Sequence, residues 1–283
     1  AYAVGMGPFP DGVYRAEFPN LYRAPGHMTE EEAIDYYVNK LEEVFIEATP
    51  YDSCAAIVFE PVQGEGGFVP APIEWVKAVR KICDEHGILM ICDEVQCGWA
   101  RSCKMFASQY FAEAGAAPDI MSTAKSIAGG LPLSAVTARA EIMDAVPGGT
   151  IGGTYGANAV SAASALKIVE VMERDDYPAK AMHISDVVMK AFNEWKDKYE
   201  CVGDVRGLGA MIGIEFVEDK ASKEPAAALV NAIVQEAMNN GLMLEAAGTY
   251  GNVIRFLCPL CVTDAQLDAG LEIFENAIKT CSK

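Results

Sequence analysis

Ile88-Leu89-Met90-Ile91-Cys92-Asp93-Glu94-Val95-Gln96 is an apolar run that stops abruptly on two carboxylates. The continuous apolar residues predict a strand over 88–92 buried on both faces, as strands of a parallel sheet are. Asp93 then falls at the carboxyl end of the strand, the end at which open α/β sheets hold their ligands. Working outward, 55–59 is a second short apolar strand. A helix starts at Pro72, runs to His86 and is stopped by Gly87. Further strands are predicted over 120–123 and 134–138. Strands separated by helices imply an α/β fold with a largely parallel sheet.

The strand over 120–123 leads into Ala124-Lys125-Ser126-Ile127-Ala128-Gly129-Gly130-Leu131-Pro132. A lysine becomes a nucleophile only when its amine can lose its proton, and partial burial beside small residues favours that loss. Such an amine can form a Schiff base with a carbonyl, including the aldehyde of pyridoxal phosphate. A lysine beside a Gly-Gly turn is by itself more often a solvated loop residue. An aspartate after a strand more often caps a turn or meets a surface lysine. Its functional alternative is an ion pair that keeps a pyridinium nitrogen protonated. Asp93 and Lys125 together, each at a strand exit, are far more specific than either alone.

Outside this core, Thr29-Glu30-Glu31-Glu32 is a capping-box pattern, and Ile34, Tyr37, Val38, Leu41 and Phe45 follow helical spacing, which predicts a helix over 30–47. Residues 1–28 read as an extended loop. Long helices are predicted over 157–175 and 179–199. Gly203-Asp204-Val205-Arg206-Gly207-Leu208-Gly209 reads as a break between a first domain (1–200) and a C-terminal α+β lobe (201–283). In that lobe 210–217, 242–245 and 253–257 read as strands and 226–240 as a helix. The terminal helix carries Leu267, Leu271, Phe274 and Ile278 on one face. Gly207-Leu208-Gly209 is not a dinucleotide fingerprint, because a strand follows the glycines rather than preceding them.

Composition narrows the function. The 283 residues are 51% hydrophobic, enough for a substantial core. A net charge of −18 argues against nucleic-acid binding. No apolar run approaches the ~18 residues of a membrane span. The nine cysteines follow no disulfide framework, so they are read as reduced and the protein as cytoplasmic. Cys258-Pro259-Leu260-Cys261 lies in an apolar run rather than at a helix start, which disfavours a redox role. His27, His86 and His183 are widely separated, so no metal site is expected. The start, Ala1-Tyr2-Ala3-Val4, has neither an initiator Met nor a signal-peptide pattern, as expected for a processed or partial chain.

Phe59-Glu60-Pro61-Val62-Gln63-Gly64-Glu65-Gly66-Gly67, Cys92-Asp93-Glu94-Val95-Gln96, Ala124-Lys125-Ser126 and Gly152-Gly153-Thr154-Tyr155 occur in the order and spacing of one family. Together they resemble the class III (ω-amino acid) aminotransferases, fold-type I pyridoxal-phosphate enzymes. The resemblance runs over essentially the whole chain. Through 203–209 and 248–257 it is most similar to the 4-aminobutyrate aminotransferase branch. It implies a parallel-rich large cofactor-binding domain and a C-terminal small domain. It further implies that Lys125 is the Schiff-base lysine and moves the proton, and that Asp93 pairs with the pyridinium nitrogen. Val95 would pack on the ring and Gln96 would lie near the phenolic oxygen. Thr154 would reach the phosphate of the neighbouring subunit's cofactor, so a homodimer with shared sites is expected. Arg255 would bind the α-carboxylate of glutamate or 2-oxoglutarate, and Glu65 would cover Arg255 when the other substrate is bound. The implied reaction moves an amino group from an ω-amino acid, 4-aminobutyrate foremost, to 2-oxoglutarate. Ornithine or acetylornithine aminotransferases and an amino-acid racemase on the same fold are the sibling readings. A non-catalytic remnant acting as a binding partner is the reading from another class.

Three departures stand out. The family's chain extends well before the point matching Ala1, and carries there a phosphate-gripping turn, a ring-stacking aromatic and a basic residue that have no match in this sequence. Cys97-Gly98-Trp99-Ala100-Arg101-Ser102-Cys103-Lys104 puts Ala100 and Cys103 where glycines are usual, so an altered backbone is expected there. Ala157-Asn158-Ala159 lacks the usual Asn-Pro step at a helix start.

Overall fold

Three parallel strands carry the site. In the computed structural model, which describes residues 4–150, 152–156 and 158–282, they are β1 (Ala56–Phe59), β4 (Leu89–Asp93) and β5 (Ile120–Thr123). Residues 1–3, on which the chain-start reading rests, and Ala157 lie outside the described residues. Between β1 and β4 come a short antiparallel ribbon, β2 (Val62–Gln63) and β3 (Val69–Pro70), and helix α2 (Ile73–His86). Gly87 ends α2 with a left-handed φ of 69°. The sheet order is β1-β4-β5-β6, and β6 (Ala135–Ala138) is antiparallel to β5. Asp119, 4% exposed just before β5, accepts the Met90 N–H at 2.7 Å and Arg80 Nη1 at 2.8 Å. This buried carboxylate ties β4 to the entry of β5.

Helix α1 (Glu30–Glu47) begins with both capping-box bonds, Thr29 taking the Glu32 N–H and Glu32 taking the Thr29 N–H. It lays Tyr37, Leu41 and Phe45 against Trp75, Val76 and Val79 of α2 and the inner residues of β1 and β4. Two short helices that the sequence reading did not pick out follow, α3 (Ser108–Glu113) and α4 (Ala140–Met143). Then come α5 (Ala159–Arg174), whose cap Asn158 accepts the Val160 and Ser161 N–H groups, and α6 (Tyr177–Lys198). Asn158 thus starts its helix without the Asn-Pro step.

The C-terminal lobe is an antiparallel sheet of order β7-β8-β10-β9, from β7 (Val202–Leu208), β8 (Met211–Phe216), β9 (Glu245–Ala247) and β10 (Val253–Phe256). Helices α7 (Ala227–Asn239) and α8 (Asp264–Cys281) pack on it. Leu267, Leu271, Phe274 and Ile278 are all buried there. Helix α6 joins the same core through Ile184, Val188, Phe192 and Trp195. Packing therefore groups α6 with the lobe, upstream of the 200/201 division suggested by the glycines.

The segment expected to be a break is a strand. Gly203 lies at the register shift between Val202 and Asp204, and a Cβ on Gly207 would meet the Met211 carbonyl oxygen at 2.2 Å. These glycines permit close backbone approach and do not end the strand. A strand also precedes Gly209, contrary to the sequence reading. The turn leads into β8 and not into a helix, so the segment still lacks the dinucleotide-binding context. Gly209 itself has φ 61°, and a Cβ there would lie 2.7 Å from the Arg101 carbonyl oxygen and 2.8 Å from the Cys103 nitrogen. Gly209→Ala combines left-handed strain with a backbone clash, and is expected to cost about 3 kcal/mol. Thermal unfolding should show a midpoint lower by roughly 6–10 °C; an unchanged midpoint would refute the close packing.

The loop it touches carries the unusual Ala100 and Cys103. Both have φ 66°, the region that favours glycine. The side chains are accommodated in a glycine-type backbone, at about 1 kcal/mol or more of strain each.

Candidate active site

Glu60 follows β1, Asp93 ends β4 and Lys125 comes just after β5. The parallel register, Phe59 opposite Cys92 and Asp93 opposite Ser122, brings all three to one edge of the sheet. Asp93 Oδ1 accepts the Val95 N–H at 2.9 Å. Its Oδ2 makes no hydrogen bond among the described residues and is left for an external proton donor. Lys125 opens a 3₁₀ turn (Lys125–Ala128) with φ 46°, a strained value for a side-chain-bearing residue, and Gly129 closes it at φ 60°. The lysine was expected to be partly buried; it is exposed, and α5 packs only on the far end of its turn, where Ser164 Oγ donates to the Ala128 carbonyl at 2.9 Å.

The Glu60 carboxyl is raised above the usual range, chiefly by burial, against the Gly64 N–H it accepts at 2.8 Å. Asp93 pushes it further up and Lys125 pulls it down, so the three groups share one electrostatic neighbourhood. Gly64 is wedged between Glu60 and Gln96: a Cβ there would stand 1.7 Å from Gln96 Oε1 and 3.3 Å from Glu60 Oε2. Glu94, fully buried, fixes the turn carrying Val95 and Gln96. It accepts the Ala107 and Ser108 N–H groups at 3.0 and 2.6 Å and the Cys97 thiol at 3.0 Å. Burial and this carboxylate push the Cys97 thiol far up, so it acts as a hydrogen-bond donor.

The lobe contributes Arg255 from β10, 8% exposed and lying over the Phe68 ring. Its Nη1 donates to Glu65 Oε1 at 2.5 Å and its Nη2 to Glu245 Oε2 at 2.8 Å. The loop bearing Glu65 is held to the lobe. The Gly248 N–H donates to the Glu65 carbonyl at 3.0 Å, and Arg206 Nε donates to the Gly67 carbonyl at 3.1 Å. Arg206 is in turn clamped by Asp204 and the buried Glu215.

The structure thus brings Asp93, Val95, Gln96 and Lys125 to one edge, and pairs Glu65 with Arg255. Thr154 lies apart on an exposed turn before α5, with no hydrogen bond to the others. A cavity of about 790 Å³ between residues 12–18, α1 and β1 reaches Glu60, Gln63 and Asp93 but not Lys125, so it meets this cluster along one wall only. Among the described residues no acid, histidine and cysteine cluster could hold a metal, and all nine cysteines are unpaired. No described helix is long and apolar enough to cross a membrane.

The donor set suits pyridoxal phosphate at two of its ends. Asp93 Oδ2 is available for a ring N–H, Lys125 offers an amine, and the missing Cβ of Gly64 leaves room for Gln96 beside them. Glu60 and Glu245 escaped the sequence reading. Glu60 repeats the pattern of Asp93, an apolar strand ending in a carboxylate. Glu245 is legible only once the hairpin around Gly248–Gly251 sets it opposite Arg255.

Comparison with known proteins identifies a family. The model of the family "Aminotransferase class-III" matches residues 1–278. The chain is 44% identical over 276 residues to a 5-aminovalerate aminotransferase of Pseudomonas putida, a match covering 97% of this chain and 62% of that protein. It is likewise 44% identical over 276 residues to a 4-aminobutyrate aminotransferase of Escherichia coli, again covering 97% and 62%. The chain therefore spans less than two thirds of the length of these relatives. Among solved structures, an amine transaminase from an uncultivated Pseudomonas species in its PLP-bound form superposes with a TM-score of 0.90 at 31% identity, covering 99% of this chain and 64% of that one.

Proposed function

The chain belongs to the class III aminotransferases, a family of fold-type I pyridoxal-phosphate-dependent enzymes, and from that premise we propose that it transfers the amino group of an ω-amino acid to 2-oxoglutarate. The observation that carries the proposal is the placement of Asp93 and Lys125 at the carboxyl ends of adjacent parallel strands. 4-Aminobutyrate is the foremost donor, and 5-aminovalerate is the same chemistry one methylene longer.

When bound, pyridoxal phosphate supplies an aldehyde for the amine and a ring that stores the electron pair released at the substrate carbon. Lys125 Nζ would hold the group through its aldehyde and, once the substrate amine displaces it, would move the proton at the substrate carbon. Asp93 Oδ2 would hold the proton on the ring nitrogen, and Glu94 keeps the turn with Val95 and Gln96 rigid beside it. Arg255 receives the α-carboxylate of glutamate or 2-oxoglutarate. Glu65 neutralises Arg255 while a donor without an α-carboxylate reacts, because an unpaired guanidinium in a cleft is costly. Thr154 reaches the cofactor phosphate of the neighbouring subunit, which makes a homodimer the working unit. Nine unpaired cysteines suit the reducing cytoplasm.

The test is a coupled assay on the dimeric holoenzyme with 2-oxoglutarate as acceptor. Glutamate should form from 4-aminobutyrate or 5-aminovalerate and hardly from ornithine. An enzyme that consumes ornithine and ignores both ω-amino acids belongs to the sibling branch.

A further inference from the structure

We infer that Glu245 tunes the preference of this site between its two kinds of substrate, by competing with the α-carboxylate for Arg255. The inference rests on the reading of Arg255 as the carboxylate receptor. Glu245 and Arg255 stand directly opposite each other in the antiparallel β9–β10 pair, so their side chains share one face of the sheet. The contact is therefore built into the hairpin register.

A guanidinium can grip a carboxylate with two donors in two ways, end-on through Nη1 and Nη2 or side-on through Nε and Nη2. Nη2 belongs to both forks, and Nη2 is the donor that Glu245 holds at 2.8 Å. Glu65 holds Nη1, and Nε is buried without a hydrogen-bond partner among the described residues. Displacing Glu65 alone frees only one donor. A substrate carboxylate gains a two-donor grip only when Glu245 also lets go. Charge acts in the same direction. Arg255 with two carboxylates forms a cluster of net charge −1 that repels an incoming carboxylate; with Glu245 neutralised the cluster is electrically balanced. Glu65 remains to cover Arg255 for donors that lack an α-carboxylate, so Glu245 burdens one half-reaction and spares the other.

Glu245 is 64% exposed, so solvent limits its effect to about a two- to five-fold change. The experiment measures glutarate, a dicarboxylate that cannot react, binding to the dimeric holoenzyme by calorimetry, alongside the KM for 2-oxoglutarate. Glu245→Gln should tighten glutarate binding and lower that KM by this factor. The gain should shrink at high salt. The rate with the ω-amino acid should change by less than the glutarate affinity does, because Glu65 still covers Arg255 in that half-reaction. Glu245→Leu, which removes the acceptor as well as the charge, should give an equal or larger gain. Unchanged or weaker glutarate binding in both Glu245 variants, with Arg255→Met losing it, would overturn the role of Glu245 and leave the function intact. Full glutarate binding in Arg255→Met would overturn the reading of Arg255 itself.

Discussion

Lys125→Ala is expected to abolish transamination, with a loss on the order of 10⁴-fold, because one side chain supplies both the attaching amine and the proton carrier. Among the described residues no other lysine stands at a strand exit on this sheet edge to replace it. The variant should fold normally, since the Lys125 side chain is exposed. Borohydride reduction of the parent holoenzyme should fix the cofactor to the peptide that contains Lys125, and Lys125→Ala should take up no label. A label on another lysine, or residual turnover near the parent rate, would defeat the assignment.

Asp93 should produce the second-largest loss. Asp93→Ala removes the charge proposed to hold the ring proton and also the acceptor for the Val95 N–H. The first effect is expected to lower the rate by about 10²–10³-fold, and the second to cost about 1 kcal/mol of stability. Asp93→Asn separates them, since its amide oxygen can still accept the Val95 N–H while the charge is gone. Both variants should lose rate to a similar extent, and only Asp93→Ala should unfold at a lower temperature. An Asp93→Asn enzyme with parent activity would rule out the pyridinium role.

What the sequence makes legible follows from how local each signal is. The run 88–92 followed by Asp93 and the run before Lys125 are periodicity and termination signals contained in a few residues. The structure places those strands within a residue of where they are read. The capping box at Thr29 and the stop at Gly87 are equally local. The glycines of 203–209 mislead, because glycine marks both chain breaks and tight strand contacts. Only the partner strand, with the Met211 carbonyl against Gly207, distinguishes the two. Glu245 is invisible for the same reason, since its meaning comes from a register ten residues away. The exposure of Lys125 depends on what covers a sheet edge, which no window of sequence around it contains.

The anchoring of the Glu65 loop has a mechanical consequence. Glu65 lies in the chain segment between β1 and α2, yet its carbonyl is bonded to Gly248, and nearby Gly67 is bonded to Arg206, both in the lobe. These bonds fix the Glu65 backbone to the lobe that carries Arg255. The same loop is also tied to the end of β1, where the Gly64 N–H donates to Glu60 at 2.8 Å. With its backbone held on both sides, Glu65 would part from Arg255 by rotation of its own side chain.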